Sequence, residues 1–464
     1  MVKVSNGQSE KIAVLGLGKE GTDLLRFLHR FKVGIKPVGL NAKIIPDTDP
    51  NYKDITRLTS SLRLGDNYLD NLTDFDLIFR SPGVPLDLPA LKKAKRKGVK
   101  ISSLTKLFFE LCPAKIVGIT GTKGKSTVTS LITHLLKKRV GGKVYFGGNI
   151  GYPPLSLLAK LTKQDVVVLE LSSFQLEDLN QSPHIAVILG ISPEHLDRHK
   201  TFKKYLSAKL NLIKYQNRSE FVVTNVDEKT YIAVARVAKG KLVKYSQRKI
   251  LQRGVYLAGE DIIYRDIKTG RRQVIMSVKE IPLLGRHNIS NVFAGIAVAL
   301  LLGVTSEKIR QQVVSFRSLE HRLEIVVRQG RIQFINDSLA TTPIATMVAV
   351  NTIPGPVVII LGGSTKKEDF RGLIKLLLTK DIKGAVLIGA TADKLAQLLK
   401  SAKVKFPFSK PKDFLTAVKQ AYNYVQPAGT VLLSPACASF GWFKDAYDRG
   451  NQFKQLAKQI VNKK

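Results

Sequence analysis

The sequence predicts an α/β protein built from three successive units. Short apolar runs recur along the chain and alternate with segments of helical spacing. A glycine-rich turn follows the first apolar run, and a second glycine turn carrying Gly-Lys-Ser-Thr follows a later one. At 464 residues the chain is too long for one ordinary core, so two or three domains are expected.

The first unit opens with Ile12-Ala-Val-Leu15, then Gly16-Leu-Gly18-Lys-Glu-Gly21, then Leu24, Leu25, Phe27 and Leu28 at helical spacing. Strand, glycine turn and helix make the start of a βαβ unit. Leu77-Ile-Phe79 and Lys100-Ile101 are further strands, and Arg80-Ser-Pro-Gly-Val-Pro85 is a tight loop after a strand. This unit is expected to end near residue 104.

The second unit, 105–318, starts with the strand Ile116–Ile119 and a helix over Ser126–Lys138. Strands follow at Lys143–Phe146, Val166–Leu169, Ala186–Leu189 and Phe221–Thr224, a doubly wound pattern. Between 241 and 282 short alternating pieces, Gly254–Leu257 and Asp261–Tyr264, predict a small antiparallel insert. An alanine-rich helix, Asn288–Leu302, comes next. The third unit, 319–464, has strands at Arg331–Ile335, Val357–Leu361, Ala385–Ile388 and Thr430–Leu433 with helices between them.

Composition narrows the function classes. Apolar residues make up 44% and mean hydropathy is near zero, as in a globular protein. No apolar run reaches the roughly 18 residues of a membrane-spanning helix, so no membrane insertion is expected. The polar N-terminus followed by a short apolar strand does not read as a signal peptide. Cys112 and Cys437 cannot make a disulfide framework, which points to the reducing cytoplasm. Lys and Arg number 74 against 36 Asp and Glu, a net charge of +38. Such a balance raises the possibility of nucleic-acid binding. The cations are scattered along the whole chain, however, and the densest run, Lys92–Lys97, sits on the solvent side of a helix pattern.

The chemistry begins at Gly118-Ile-Thr-Gly-Thr-Lys-Gly-Lys-Ser-Thr127. Glycines let backbone N–H groups approach a phosphate, and the following helix start adds its positive end. Lys125 suits the β- and γ-phosphates, and Ser126 or Thr127 suits Mg²⁺. The spacing differs from the common phosphate-loop pattern, because Ile119 stands where its first glycine would. Glu170 closes the strand Val166–Leu169, where a carboxylate reaches a ligand held at strand C-terminal ends. Ser192-Pro-Glu-His195-Leu-Asp197-Arg198-His199 follows another strand and gathers possible metal or phosphate partners. Lys209 lies on the next helix and would, taken alone, be a solvated lysine.

Taken together, these motifs resemble the Mur ligase family over nearly the whole chain. The resemblance rests on Gly121–Thr127, Gly148-Asn-Ile-Gly151, Glu170-Leu-Ser-Ser-Phe-Gln-Leu-Glu177, His195-Leu-Asp-Arg-His199 and Asn225-Val-Asp227. It continues through His287-Asn-Ile-Ser-Asn291, His321-Arg-Leu-Glu324, Asn336-Asp-Ser-Leu-Ala-Thr341 and Leu433-Ser-Pro-Ala-Cys-Ala-Ser-Phe440. The last stretch points to the glutamate-adding branch of the family. The resemblance implies a Rossmann-like N-terminal domain, a P-loop ATPase-like central domain and a Rossmann-like C-terminal domain.

It also implies ATP-dependent amide formation between glutamate and UDP-N-acetylmuramoyl-L-alanine, through an acyl phosphate, in bacterial peptidoglycan precursor synthesis. The implied enzyme is a cytoplasmic monomer with no obligate nucleic acid. Two Mg²⁺ ions are implied, one held by Ser126 and Glu170, the other by His195 and a carbamylated Lys209. Gly121, Thr122, Lys123, Gly124, Lys125, Ser126 and Thr127 would hold ATP, with Asn288 and Asn291 near adenine and Arg322 and Asp337 from the C-terminal domain. Lys125, His195 and Lys209 would be catalytic. Gly18, Ser81 and Gly83 would cradle the UDP diphosphate, and Asn149 and His195 would flank that substrate. Thr341, Lys366, Ser439 and Phe440 would receive glutamate.

The sequence departs from the family at two points. Leu339 stands where lysine is usual, which leaves D- against L-glutamate open, and Lys123 stands where asparagine is usual. A folylpolyglutamate synthetase and a basic P-loop NTPase acting on nucleic acid are the competing readings.

Overall fold

A computed structural model describes residues 10–31, 35–139, 141–149, 151–364 and 368–462. The chain forms two compact units, Met1–Ile281 with Ser290–Val314, and Pro282–Ile289 with Ser315–Lys464. The division falls inside the helix Arg286–Leu301.

The first unit holds two sheets. The smaller is all parallel, with strands in the spatial order Ser61–Leu64, Val38–Asn41, Ile12–Leu15, Leu77–Arg80 and Lys100–Ser102. The turn after its central strand explains the glycines. Gly16 has φ +93, and a side chain on Gly21 would strike the Gly16 carbonyl. The helix Lys19–Phe31 can therefore start close against the strand that feeds it only with glycine at both places.

The larger sheet has nine strands. From its centre to one edge it runs Phe221–Asn225, Ile185–Ile188, Lys115–Thr120, Val166–Glu170 and Val144–Gly148, all parallel. Ile185–Ile188 and Val166–Glu170 are near-continuous, fully buried apolar runs, as expected of parallel strands covered on both faces. The stretch expected as an antiparallel insert belongs to this sheet instead. Lys241–Ser246 and Gly254–Ala258 continue it in parallel. Asp261–Arg265 and Arg272–Ser277 then close its edge as antiparallel strands. Hydrogen bonding along Lys241–Ser246 carries the sheet across, so no separate body forms.

One apolar cluster joins the two sheets of this unit. It runs from Leu24, Leu77 and Phe79 through Leu104 and Phe108 to Leu155, Leu169 and Leu171. Polar ties reinforce it. The fully buried Arg80 pairs with Asp178 at 3.2 Å, and Lys106 pairs with the same carboxylate at 3.0 Å. Gln175 donates to Glu20 at 2.8 Å.

The second unit is a six-stranded sheet in the order Glu324–Gln329, Ile332–Asn336, Gly429–Leu433, Val357–Gly362, Ile382–Ile388 and Phe408–Ser409. Only the first pair is antiparallel. Apolar clusters lie on both faces, one around Ile359 and Phe370, the other around Phe334 and Phe453.

Asp23 is a polar residue in the core of the first unit. It is 6% exposed, and its Oδ2 has no hydrogen-bond partner. Burial pushes its carboxyl up to about 6, against the pull of Arg26 and Lys19. A raised acid favours the folded state while protonated, and that stability is lost as pH climbs through about 6. The advantage of Asp23→Asn over the parent should therefore grow between pH 4 and pH 8, by on the order of 1–3 kcal/mol. Thermal melting of both proteins across that range checks it; a pH-independent difference would contradict the burial account.

Candidate active site

The phosphate loop sits at the C-terminal end of the strand Lys115–Thr120, between the strands ending at Glu170 and at Ile188. Register places Ile119 opposite Glu170 and Thr120 opposite Ile188, so groups after both neighbours converge on the loop. Its shape is pinned from within. Thr122 is buried; its N–H donates to Gly190 O at 2.8 Å, and its hydroxyl donates to Ser192 O at 3.0 Å and accepts from Ser192 N at 2.9 Å. Gly124 has φ +83 and caps the helix Lys125–Leu136. A β-carbon there would lie 2.7 Å from Asn291 Oδ1, so Asn291 packs directly on the loop. Ser126 and Thr127 occupy the first turn of that helix and are partly exposed.

Two lysine ammoniums meet at one carbonyl. Lys125 Nζ donates to Gly121 O at 3.0 Å and to Thr122 O at 2.9 Å. Lys209 Nζ donates to the same Gly121 O at 2.8 Å and to Thr120 Oγ1 at 3.4 Å. Lys209 is 1% exposed, lies 4.8 Å from the Tyr205 ring centroid, and rides on the helix Phe202–Lys214, which Thr201 caps. Burial first, and the Lys125 charge second, lower its ammonium to about 7. A neutral amine is thus accessible near neutral pH, so the sequence reading of Lys209 alone as a solvated lysine is wrong. A buried lysine looks the same in one dimension as an exposed one.

Glu170 is 2% exposed. Its Oε1 accepts from Asn149 Nδ2 at 3.0 Å, and its Oε2 has no hydrogen-bond partner. A buried carboxylate oxygen left bare beside a phosphate loop suits a cation. Asn149, expected beside the nucleotide-sugar, orients this carboxylate. His195 has φ +55, its ring is half exposed, and its Nε2 lies 3.8 Å from Glu194. Glu194 also pairs with Lys123 at 2.5 Å, which ties the phosphate loop to the His195 loop. His199 is buried instead, stacked on Phe174 and bonded to Ser173 Oγ at 3.0 Å. Among the described residues no three His, Cys, Asp or Glu side chains form a ready metal cage.

In the smaller sheet, Gly18 and Gly83 are exposed, with open space where a β-carbon would be. Ser81 donates to Gly16 O at 2.6 Å and so braces the glycine turn. Arg198, read from sequence only as part of a polar cluster, donates to Gly83 O at 2.9 Å and Pro82 O at 3.3 Å. It links the His195 loop to the Ser81–Gly83 loop, a pairing across more than a hundred residues that spacing could not reveal.

The second unit carries its own set. Asp337 is buried; it accepts from Ser434 Oγ at 2.9 Å and Leu323 N at 3.2 Å, and burial pushes it up to about 7. Arg322 is exposed and pulls that carboxyl down again. Asn288 donates to Leu284 O at 2.7 Å. Ser439 is buried, Phe440 is 63% exposed, and Leu339 and Thr341 are half-buried. Lys366 and the adjacent Lys367 lie outside the described residues.

Gly124→Ala should weaken ADP binding about tenfold or more, because the left-handed backbone and the Asn291 contact both oppose a methyl group. Calorimetric titration with ADP checks this; unchanged affinity would contradict the loop geometry.

Comparison with known proteins finds three family models in succession along the chain. Residues 10–103 match the MurD-like N-terminal domain of Mur ligases, 119–299 the Mur ligase middle domain, and 321–437 the Mur ligase glutamate ligase domain. The chain is 37% identical over 460 residues to the UDP-N-acetylmuramoylalanine–D-glutamate ligase of Acetivibrio thermocellus, covering 98% of this chain and 97% of that one. It is 36% identical to the ligase of the same name from Symbiobacterium thermophilum, covering 97% and 98%. In fold it is similar to the MurF ligase of Thermotoga maritima in complex with ADP, with TM-score 0.57 and 17% identity over 100% of this chain and 97% of that one. A MurF of Acinetobacter baumannii gives TM-score 0.59 at 15% identity, covering 98% and 94%. The fold, all three matched domains and the full-length relatives agree: this chain belongs to the Mur ligase family.

Proposed function

We propose that this ligase joins D-glutamate to UDP-N-acetylmuramoyl-L-alanine at the expense of ATP, in peptidoglycan precursor synthesis. The observation that carries the reading is the convergence of the phosphate loop, Glu170 and Lys209 at the ends of adjacent parallel strands. Full-length relatives named for that reaction support it. The working division is residues 1–104 for the UDP moiety, 105–318 for ATP and 319–464 for glutamate. The enzyme is taken as a monomer of the bacterial cytoplasm that needs no nucleic acid. No helix among the described residues is long and apolar enough to cross a membrane.

A free carboxylate is a poor acyl donor, so it must first be activated. The alanyl carboxylate attacks the γ-phosphorus of ATP, the bond to the β–γ bridging oxygen breaks, and ADP leaves. The glutamate amine then attacks the acyl-phosphate carbonyl, loses a proton, and phosphate departs. Lys125 and the loop N–H groups hold the phosphates in line. Gly18 and Gly83 leave room for the UDP diphosphate to reach backbone, with Ser81 bracing the turn beneath it.

Ser126 and Glu170 would hold one Mg²⁺ and His195 and Lys209 a second, neutralising charge on the phosphate oxygens. The bare Glu170 Oε2 fits that role. Lys209 fits it only as a carbamate, since an ammonium repels a cation while a carbamate is a carboxylate on a long stem. Its lowered ammonium supplies the neutral amine that carbon dioxide requires. Asn288 and Asn291 are assigned to adenine, Arg322 and Asp337 also to ATP, and Thr341, Lys366, Ser439 and Phe440 to glutamate. L-glutamate as acceptor is the second reading, because Leu339 stands where lysine is usual in the family and leaves the stereochemistry open.

Phosphate release is expected only when ATP, UDP-N-acetylmuramoyl-L-alanine and glutamate are all present, with D-glutamate the better acceptor and no stimulation by DNA or RNA. Silence with both enantiomers would overturn the reading; preference for L-glutamate would select the second one. Lys209→Ala should lose activity about 100-fold or more and regain part of it with added short carboxylic acids. Full activity without such additives would remove Lys209 from the site.

A further inference from the structure

Arg449 is the second unit's most unusual charge. It is fully buried on the helix Ala446–Asn462, yet it has no carboxylate partner among the described residues. All its recorded hydrogen bonds go to neutral oxygens. Nε donates to Ser338 Oγ at 3.0 Å and Nη2 to Ser338 O at 2.8 Å. Nη1 and Nη2 both donate to Cys437 O at 3.2 Å, and Nη1 also donates to Ala438 O at 3.4 Å. Ser338 Oγ in turn donates to Ala446 O at 2.7 Å. Gly363 belongs to the same knot: a β-carbon there would approach Arg449 Nη1 at 3.2 Å and strike the Ala438 carbonyl.

The two loops held this way are the ones whose next residues are assigned to the amino acid. Ser338 precedes Leu339-Ala-Thr341, and Ala438 precedes Ser439-Phe440. A guanidinium is suited to this because its planar fork binds several carbonyls at once. The arrangement is nevertheless costly, since a buried charge without an anion loses its hydration and gains no Coulomb partner. Burial accordingly lowers the guanidinium to about 10. The nearby Cys437 thiol gives little compensation, because burial raises its own ionisation above the usual range. A positive charge with no fixed counter-ion, lying under a loop in which position 339 is leucine, calls for an anion that arrives with the substrate.

We propose that Arg449 is a positioning residue for the acceptor amino acid, joining the Ser338 and Cys437–Ala438 loops and supplying the buried positive charge that selects an acidic side chain over a neutral one. The inference rests on the proposed glutamate ligation and deepens it. Arg449 acts through the two loops it holds, without the guanidinium having to touch the substrate.

Arg449→Lys keeps the charge and loses the fork, whereas Arg449→Gln loses both the charge and most of the fork. Steady-state kinetics with glutamate and with glutamine as acceptors separates these effects. Both variants should raise the glutamate KM, by about 10- to 100-fold for Arg449→Gln, the range of one to two charge-assisted hydrogen bonds. The KM values for ATP and for the nucleotide-sugar should stay within about twofold. The ratio of kcat/KM for glutamate to that for glutamine should fall about tenfold in Arg449→Gln and remain near the parent value in Arg449→Lys. A purely structural role would lower both acceptors together and leave the ratio unchanged in both variants, which would overturn the proposal. If Arg449→Gln does not fold, Arg449→Lys still decides: an unchanged glutamate KM, or a lost preference for glutamate, contradicts it. Acyl-phosphate formation from ATP and UDP-N-acetylmuramoyl-L-alanine without amino acid, trapped with hydroxylamine, serves as the control. Its absence in the parent protein would defeat the ligase reading itself, while its presence with unaltered acceptor kinetics in the variants would defeat only the role of Arg449.

Discussion

Lys125 and Lys209 both donate to the carbonyl of Gly121, at 3.0 and 2.8 Å. Two like charges on one acceptor, one of them fully buried, repel each other, and the buried one gives way first. Lys125 sits at the helix start where a triphosphate would lie. Lys209 faces the opposite requirement, because Glu170 presents a bare carboxylate oxygen nearby and a cation placed there would be opposed by an ammonium. The proposed carbamylation would turn the like-charged pair into an opposite-charged one and would add a second carboxylate for a metal. The rest of the first unit serves this arrangement. Asn149 aims Glu170, Thr122 fixes the loop to Ser192, and Arg198 ties the His195 loop to the Pro82–Gly83 carbonyls.

The fold was largely legible in the sequence because parallel strands buried on both faces leave continuous apolar runs. Val166–Glu170 and Val357–Gly362 show this clearly. Val38–Asn41 and Ser61–Leu64 were not anticipated, since each is four residues long and the second is only partly buried. The 241–282 stretch was read as a small antiparallel insert and not as the continuation and edge of the larger sheet, because alternation reports a strand without saying which neighbour it pairs with. In the site, the phosphate loop was legible locally. The roles of Asn149, Arg198 and Arg449 depend on partners distant in sequence, and no spacing encodes them.

The two units handle charge differently. In the first, Lys125 and Lys209 meet at one carbonyl and Glu170 keeps a buried carboxylate oxygen without a partner, a set that would suit anionic phosphates and a metal. In the second, Asp337 is raised by burial while Arg449 is buried with only neutral partners. Both are expensive in isolation and become reasonable where a charged substrate completes the set. The net charge of +38 sets a favourable background for anionic substrates, while in the proposed reading these buried groups, rather than the scattered surface lysines, would carry specificity.

The account stands on carboxylate activation by phosphoryl transfer. The most direct test uses UDP-N-acetylmuramoyl-L-alanine carrying oxygen-18 in both oxygens of its alanyl carboxylate, with ATP and glutamate, and mass analysis of the released phosphate. One labelled oxygen per phosphate is expected, with the other retained in the new amide. Phosphate free of label, formed alongside the amide product, would contradict the account.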